Sequence, residues 1–175
     1  MPNQFFGDFL LSEAFFIDKY VKTIAMATLK KGDKAPSFFG VDQDGKPHQL
    51  EDYKGKKLVV FFYPKANTPG CTAEACDLRD NFERFQANNY ALLGVSADDQ
   101  KAQAKFRDKF NFPFPLLADE DKSVIQDFGV WGPKKFMGRE YDGIHRTTFV
   151  IDEKGIIDEV IENVKTKEHA TQILK

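Results

Sequence analysis

The chain is poor in the residues on which several classes of small protein depend. It has only two cysteines, one tryptophan and three methionines among 175 residues. Its formal net charge is −2, from 25 basic and 27 acidic residues, so bulk charge recruits neither nucleic acid nor an anionic membrane. Its longest uncharged apolar stretches, 58–64 and 90–97, are far shorter than the roughly 18 residues of a membrane span. The expected partner is therefore a small molecule or another protein.

The N-terminus does not have the pattern of a secretion signal. Its first basic residue is Lys19, whereas Asp8 and Glu13 interrupt a stretch that a signal needs to be basic and then continuously apolar. We therefore expect a cytoplasmic protein. In that reducing compartment, two cysteines more often form a reactive or redox pair than a structural bridge.

The chain does have enough apolar residues for one ordinary domain. Hydrophobic residues make up 42% of it and charged residues 30%, which excludes disorder. Residues 1–26 stand apart, because apolar positions recur there at helical spacing. This predicts a helical N-terminal extension, which either packs on the domain, docks a partner or a membrane surface, or is an upstream start that contributes nothing. Residues 27–175 are expected to form the folded domain.

Strand and helix patterns alternate along the domain. Strands are predicted at 37–41, 48–50, 57–63, 90–96, 115–118, 147–151 and 156–161, and helices at 68–88, 98–109, 119–128 and 165–174. The first two strands flank a turn-rich stretch and should form an N-terminal β-hairpin. This order predicts an α/β fold in which helices flank a central mixed sheet.

Cys71 lies where a buried strand gives way to a helix. Thr68 is a good N-cap residue, and Pro69 is tolerated at the first helical position. Cys71 then takes the third helical position, where a capping box has an acidic side chain facing free backbone N–H groups and the positive end of the helix dipole. A thiolate is stabilised there, which indicates a nucleophile at the carboxyl end of a central strand.

Other interpretations of the cysteines are weaker. A buried inert cysteine is common, but it is not expected at a Thr-Pro-Gly helix entry. A zinc site is disfavoured because Cys71-x4-Cys76 is a poor ligand pattern and the three histidines are remote in sequence: His48, His145 and His169. Glycine-rich phosphate-binding motifs are also missing from the sequence, so we expect no metal and no nucleotide, flavin or other cofactor.

The stretch around Cys71 resembles the peroxiredoxins closely. Pro64-x3-Thr68-x2-Cys71 is similar to the active-site motif of that superfamily. The longer pattern Thr68-Pro-Gly-Cys-Thr-x-Glu-Ala-Cys76 resembles its bacterioferritin comigratory protein or peroxiredoxin Q branch, of the atypical 2-Cys type. The resemblance runs from about Lys30 to the C-terminus. It implies a thioredoxin-like fold and a thiol-dependent peroxidase.

The resemblance also implies a role for each matching residue. Cys71 corresponds to the peroxidatic cysteine, whose thiolate attacks the O–O bond and becomes a sulfenic acid. Thr68 corresponds to the hydroxyl that hydrogen-bonds the peroxide and the thiolate, and Pro64 to the residue that shields the cysteine from water. Arg146 corresponds to a distant arginine that stabilises the thiolate and orients the peroxide oxygens. Glu74 is expected either to bond the backbone or an arginine, or to lie on a solvated helix face.

Cys76 corresponds to the resolving cysteine that part of this branch has. Five residues along an ideal helix separate two Cα atoms by roughly 8.6 Å, whereas a disulfide needs less than about 7 Å. If Cys76 resolves the sulfenic acid of Cys71, the first turns of the helix must therefore unwind in each catalytic cycle.

The resemblance implies reduction of hydrogen peroxide and alkyl hydroperoxides by a monomer or weak homodimer. Electrons would come from a thioredoxin-like reductant by exchange with a Cys71–Cys76 disulfide. Two alternatives stay open. One is a thiol–disulfide oxidoreductase on the same fold, although Cys-x4-Cys is not the Cys-x-x-Cys of that chemistry. The other is a redox-regulated binding protein or chaperone, which only the Phe-rich segment 1–26 favours.

Overall fold

A computed structural model describes residues 28–175 of the protein. The helix predicted within residues 1–26 lies outside the described residues, so the division at residue 27 stays a prediction. Within residues 28–175, no helix is long and apolar enough to cross a membrane.

A five-stranded mixed sheet forms the centre of the described domain. In spatial order its strands are β5 (Leu116–Ala118), β4 (Tyr90–Ser96), β3 (Lys57–Phe62), β8 (Thr147–Ile151) and β9 (Ile157–Ile161). Strand β3 pairs in parallel with β4 and antiparallel with β8, so it is the central strand. Every residue of β3 after Lys57 is buried, as its continuous apolar run predicts.

Helices and two small hairpins surround this sheet. The helices are α1 (Pro69–Asp80), α2 (Phe82–Ala87), α3 (Gln100–Phe110), α4 (Ser123–Asp127) and α5 (His169–Ile173), with a 3-10 turn at Leu50–Tyr53. Strands β1 (Phe39–Val41) and β2 (Pro47–Gln49) pair antiparallel. The predicted N-terminal hairpin and the central mixed sheet flanked by helices are both confirmed.

Side chains of β3 alternate between two cores, one on each face of the sheet. Phe62 faces the core that α4 covers, together with Phe128 and Phe149. Phe61 faces the other core, which α1, α2, α3 and α5 cover. Cys71 is part of this second core and is only 2% exposed. Packing thus accounts for most of the phenylalanines within residues 28–175, since the ring has no polar atom to satisfy.

The long helix predicted at 68–88 is two helices. Asn81 breaks it, with backbone angles φ −106° and ψ 11°. Its side-chain nitrogen donates to the carbonyl of Asp77 at 2.9 Å, a bond that competes with the helical ladder. As a result α1, which carries both cysteines, has 12 residues and ends at Asp80.

A hairpin at the surface was not expected from the sequence. Strands β6 (Trp131–Phe136) and β7 (Arg139–Ile144) pair antiparallel. Met137 and Gly138 form the two-residue turn, both with positive φ, at 49° and 78°. Such turns usually have Asn-Gly or Asp-Gly, so Met-Gly gives no recognisable signal. Pro133 also argues against a strand unless that strand is at an edge, as this one is.

The last two helices are shorter than predicted. Helix α4 begins at Ser123 rather than at Asp119, although both carboxylate oxygens of Asp119 accept backbone N–H groups of its first turn. Helix α5 begins at His169 rather than at Lys165. The N–H of Lys165 instead donates to the side chain of Gln172 at 2.8 Å, which holds the preceding turn against the helix.

We expect Gly94→Ala to destabilise the protein by about 1–3 kcal/mol, because it overpacks a filled core. A Cβ at Gly94 in β4 would lie 2.7 Å from Leu116 and 2.8 Å from Phe61. Gly132→Ala is the matched control in a strand, since its nearest neighbour would be 3.5 Å away on His145. Urea unfolding measures both variants, and equal midpoints would contradict the prediction.

Candidate active site

The site lies where central strand β3 passes into helix α1. The carboxyl end of β3 neighbours the carboxyl end of its parallel partner β4, which is where open α/β sheets place their ligand-binding residues. Pro64 is half-buried just after the strand. The loop that follows returns to α1 at Thr68, which brings Cys71 back over the end of the sheet.

A network of hydrogen-bonded polar side chains holds this loop in place. The N–H of Ala66 donates to Asp98 at 2.8 Å, and the hydroxyl of Ser96 donates to the same oxygen at 2.6 Å. Gln103 donates to Ser96 at 2.9 Å and accepts from the hydroxyl of Tyr63. Burial raises the pKa of Tyr63 far above its usual range, so it stays protonated and donates. The network ties the loop to the end of β4.

Thr68 is the N-cap residue of α1 through its backbone alone. It has the extended angles of a cap, φ −91° and ψ 156°, and its carbonyl accepts the N–H of Thr72 at 2.9 Å. Its side chain, however, makes no capping bond, and its hydroxyl donates to the carbonyl of Lys65 at 2.8 Å. Thr68 is therefore the N-cap residue, as predicted, but its side chain does not cap the helix. The first N–H groups of α1 are left without that acceptor.

Arg146 contacts Cys71 directly. Its Nη2 donates to the Sγ of Cys71 at 3.3 Å. Burial opposes its charge, but Glu74 and Cys71 outweigh burial and raise the pKa of Arg146 above its usual value. Gly70 permits this approach, since a Cβ there would lie 3.2 Å from Nη2. The thiol predicted as a nucleophile thus has a permanent cation beside it.

Glu74 is the acidic partner of Arg146, on the same buried helix face as Cys71. Its Oε2 accepts a hydrogen bond from Nη1 of Arg146. The side chain is fully buried, which raises the pKa of Glu74 to about 7 despite the opposing effect of Arg146. Of the two expectations for Glu74, the contact with arginine is confirmed and the solvated face is wrong. A sequence signal existed, because buried positions 71, 74, 75 and 78 follow helical spacing.

His169 at the start of α5 was missed by sequence reasoning. Its Nε2 lies 3.6 Å from Oε1 of Glu74, and the ring is fully buried. Burial lowers the pKa of His169, although Gln172 and Asp77 oppose that change. No local pattern relates residue 169 to residue 74, since the packing of α5 on α1 brings them together.

Cys76 lies on the same continuous helix as Cys71, and both are free thiols. Cys76 is half-buried and packs at the edge of the second core. Burial raises the pKa of its thiol, with Arg79 opposing the rise. The expectation from the sequence that both cysteines lie on one helix is confirmed.

His145 and the single tryptophan, Trp131, are not part of this cluster. His145 is exposed beside Arg146, and Trp131 lies under the ammonium group of Lys122, 5.2 Å from the ring centre. Among residues 28–175, no group of three or more His, Cys, Asp or Glu side chains is arranged to hold a metal ion.

Comparisons with known proteins relate the chain to the AhpC/TSA family. The model of the AhpC/TSA family matches residues 31–160. Over 149 residues the chain is 47% identical to peroxiredoxin Bcp of Escherichia coli strain K12, covering 85% of this chain and 96% of that protein. Peroxiredoxin Bcp of Bacillus subtilis is 44% identical over 148 residues, covering 85% and 94%.

Solved structures agree with the sequence relatives. Peroxiredoxin Q of Xylella fastidiosa matches with a TM-score of 0.79 at 32% identity, covering 83% of this chain and 93% of that one. The bacterioferritin comigratory protein of Xanthomonas campestris, studied for its alkyl peroxide reduction, matches with a TM-score of 0.74 at 33% identity, covering 78% and 87%. The predicted thioredoxin-like fold is thereby confirmed.

Arg146→Lys should slow alkylation of Cys71 by iodoacetamide at neutral pH by about tenfold or more, because one ammonium group cannot replace the planar fork. A lysine could contact either Sγ of Cys71 or the carboxylate of Glu74, whereas Arg146 contacts both. The reaction is followed by mass spectrometry in the Cys76→Ser background. Arg139→Lys, on the exposed hairpin, is the control and should react at the unaltered rate. Equal rates in the two variants would show that Arg146 does not increase the reactivity of Cys71.

Proposed function

Since the chain belongs to the AhpC/TSA family and is a thiol-dependent peroxidase of the Bcp branch, we propose that Cys71 is the thiol that reacts with the peroxide. The observation that carries this proposal is the 3.3 Å contact between Nη2 of Arg146 and Sγ of Cys71. It joins a nucleophile at a helix N-terminus to a fixed cation, the pairing that stabilises a thiolate. Cys76 has no such cation bonded to its sulfur among the contacts of residues 28–175.

In the proposed reaction, the thiolate of Cys71 attacks one oxygen of the peroxide in line with the O–O bond. The S–O bond forms as the O–O bond breaks, and the second oxygen leaves with the bonding electron pair as hydroxide or alkoxide. That anion takes up a proton and becomes water or an alcohol. The sulfur is oxidised by two electrons to a sulfenic acid. Arg146 stabilises the negative charge as it moves from sulfur to the leaving oxygen.

We assign the peroxide contact of the loop to Thr68 and the shielding of Cys71 from water to Pro64. The proton of the Thr68 hydroxyl is committed to the carbonyl of Lys65, so its oxygen is left to accept the O–H of a hydroperoxide. Pro64 has no N–H and is half-buried beside the site, which suits the exclusion of water from the reacting sulfur. Both roles rest on position, and both agree with the motif that these residues share with the family.

Cys76 is proposed to attack the sulfenic acid of Cys71, forming an intramolecular disulfide and releasing water. The intact helix keeps the two Cα atoms roughly 8.6 Å apart, so the first turns of α1 must open first. The missing side-chain cap at Thr68 and the break at Asn81 favour such opening. A cytoplasmic, thioredoxin-like dithiol would then reduce the disulfide by exchange.

Cys71→Ser should abolish peroxide consumption, because a serine hydroxyl without a base is a far weaker nucleophile than a thiolate. The fold should be unchanged, as serine is nearly isosteric with cysteine. Peroxide removal is measured with thioredoxin and its reductase present. Residual activity above about one per cent of the parent would indicate another nucleophile.

Cys76→Ser should react once with peroxide and then stall as a sulfenic acid that overoxidises readily. In the unsubstituted protein, mass spectrometry after one equivalent of peroxide should detect a Cys71–Cys76 bridge within a single chain. An intermolecular Cys71–Cys71 bridge would contradict this mechanism. Sustained thioredoxin-linked turnover by the Cys76→Ser protein would also do so.

A further inference from the structure

The first half of helix α1 is attached to the domain through the site itself. Arg146 donates to Sγ of Cys71 and to Oε2 of Glu74. These are the only hydrogen bonds that side chains of residues 69–76 make within residues 28–175. One of them ends on the sulfur that we propose reacts. A change at that sulfur therefore weakens the attachment of this half directly.

The second half of α1 is attached through residues that carry no sulfur. Oδ2 of Asp77 accepts the N–H of Ala170, in α5, at 2.7 Å. The side chain of Leu78 is fully buried. Nη1 of Arg79 donates to the carbonyl of Phe110, the last residue of α3, at 2.7 Å. Oxidation of either cysteine leaves all three of these groups chemically unaltered.

Asp77 supplies the cap that helix α5 lacks. Ala170 is the second residue of α5, so its N–H has no acceptor within the helix. Glu168 occupies the N-cap position, but its side chain makes no capping bond. The carboxylate of Asp77 takes this place from another helix, in a hydrogen bond that its charge strengthens. The bond therefore joins α1 to α5 at one defined atom pair.

Helix α5 is in turn fixed to the central sheet. Nε2 of His169 lies 2.7 Å from the hydroxyl of Thr148, in β8. Ala170 and Ile173 are buried in the second core. A chain of contacts thus runs from β8 through His169 and Ala170 to Asp77. None of these contacts requires the first half of α1 to be helical.

The last turn of α1 also closes on itself. The backbone N–H of Asn81 donates to the carbonyl of Asp77 at 3.3 Å, and the side-chain nitrogen of Asn81 donates to the same oxygen at 2.9 Å. Both bonds lie within residues 77–81. If the residues before Asp77 unwind, these two bonds stay intact.

We propose that unwinding of α1 stops at Cys76, and that Asp77 is a positioning residue that holds Cys76 in place while Cys71 moves to it. The inference rests on the proposed function, which pairs these two cysteines. The other end of the unwinding segment is fixed as well, because the N–H of Ala66 donates to Asp98 at 2.8 Å. Cys71 lies near the middle of the segment between these fixed ends, whereas Cys76 is next to one of them.

The reach of the chain allows this division between a moving and a stationary thiol. An unwound chain of five residues spans up to about 17 Å, so Cys71 can come within the roughly 7 Å that a disulfide requires without any movement of Cys76. A stationary target also lowers the entropic cost of closing the bridge, since only one of the two side chains has to be positioned anew. Asp77 acts on the reaction through Cys76 and does not touch the peroxide.

The amide of Ala170 reports the bond to Asp77, because that carboxylate is its hydrogen-bond acceptor. Its hydrogen exchange is measured by NMR in the dithiol protein and in the disulfide form made with diamide. The disulfide should change the exchange rate of Ala170 by less than about threefold, while the amides of residues 73–76 exchange at least about tenfold faster. Tenfold faster exchange of Ala170 in the disulfide form would show that unwinding passes Asp77 and would overturn the proposal. This measurement needs no substitution.

Three substitutions test the role of the carboxylate. Asp77→Ala should accelerate exchange of the Ala170 amide by about fivefold or more in both redox states, the usual effect of losing a cap. Asp77→Asn keeps an oxygen that can accept and should restore most of the protection. Glu83→Ala removes an exposed acidic side chain from α2 and is the control, with exchange unaltered. Equal protection in Asp77→Ala and the control would overturn the assignment.

The equilibrium between dithiol and disulfide separates a stationary last turn from one that unwinds. The protein is equilibrated with mixtures of reduced and oxidised glutathione. Asp77→Ala should leave the equilibrium constant within about twofold of the parent, since a contact present in both states cancels. Arg146→Lys weakens contacts that only the closed helix makes, and should shift the constant toward the disulfide. A shift of about fivefold or more toward the disulfide in Asp77→Ala would show that its bond breaks on unwinding, against the proposal.

These measurements use diamide and glutathione in place of peroxide. A chain in which Ala170 and residues 73–76 exchange as expected, yet which consumes no peroxide, would contradict the proposed function and leave the role of Asp77 standing. A chain that consumes peroxide while Ala170 loses its protection in the disulfide form would do the reverse. Failure of diamide to form a bridge between Cys71 and Cys76 would contradict both.

Discussion

The site depends on the double contact of the Arg146 guanidinium with one turn of helix α1. Its two terminal nitrogens bond Cys71 and Glu74, which lie three residues apart on the buried helix face. The planar fork can do this because its donors are fixed relative to one another. The same contact would stabilise a thiolate at Cys71, the nucleophile that we propose, and it holds the start of α1 against the start of β8. Reactivity and helix position are two consequences of one interaction.

This arrangement makes the helix stable only through its neighbours. Its first turn has no side-chain cap from Thr68, and its last turn ends at Asn81. What holds it is tertiary: Arg146 at one end and, further along, Asp77, which accepts the N–H of Ala170 at 2.7 Å. Short helices owe most of their stability to such packing. A change at the sulfur of Cys71 that weakens the arginine contact thus acts directly on the helix.

Much of the fold followed from the sequence, because apolar runs and helix-start residues are local signals. The central strand, the N-terminal hairpin and the place of Cys71 at a helix start were all predictable in this way. The residues around that cysteine were less predictable from the sequence. Arg146 was identified only through a family resemblance, and His169 was not identified at all. Both reach the site through strand order and helix packing, which relate residues 71, 146 and 169 without any local pattern. The turn at Met137 was missed because Met-Gly is not a usual turn pair, and the bend at Asn81 was missed because the apolar helical spacing continues through it.

Opening of α1 would also dissolve the buried charge cluster. Cys71 and Glu74 belong to the helix, whereas Arg146 lies just before β8 and His169 begins α5. Once Glu74 leaves its buried position, water solvates its carboxylate and the burial that raises its pKa to about 7 is lost. The contacts among Cys71, Glu74 and Arg146 are therefore made only in the closed helix, which is the state that we propose reacts with a peroxide.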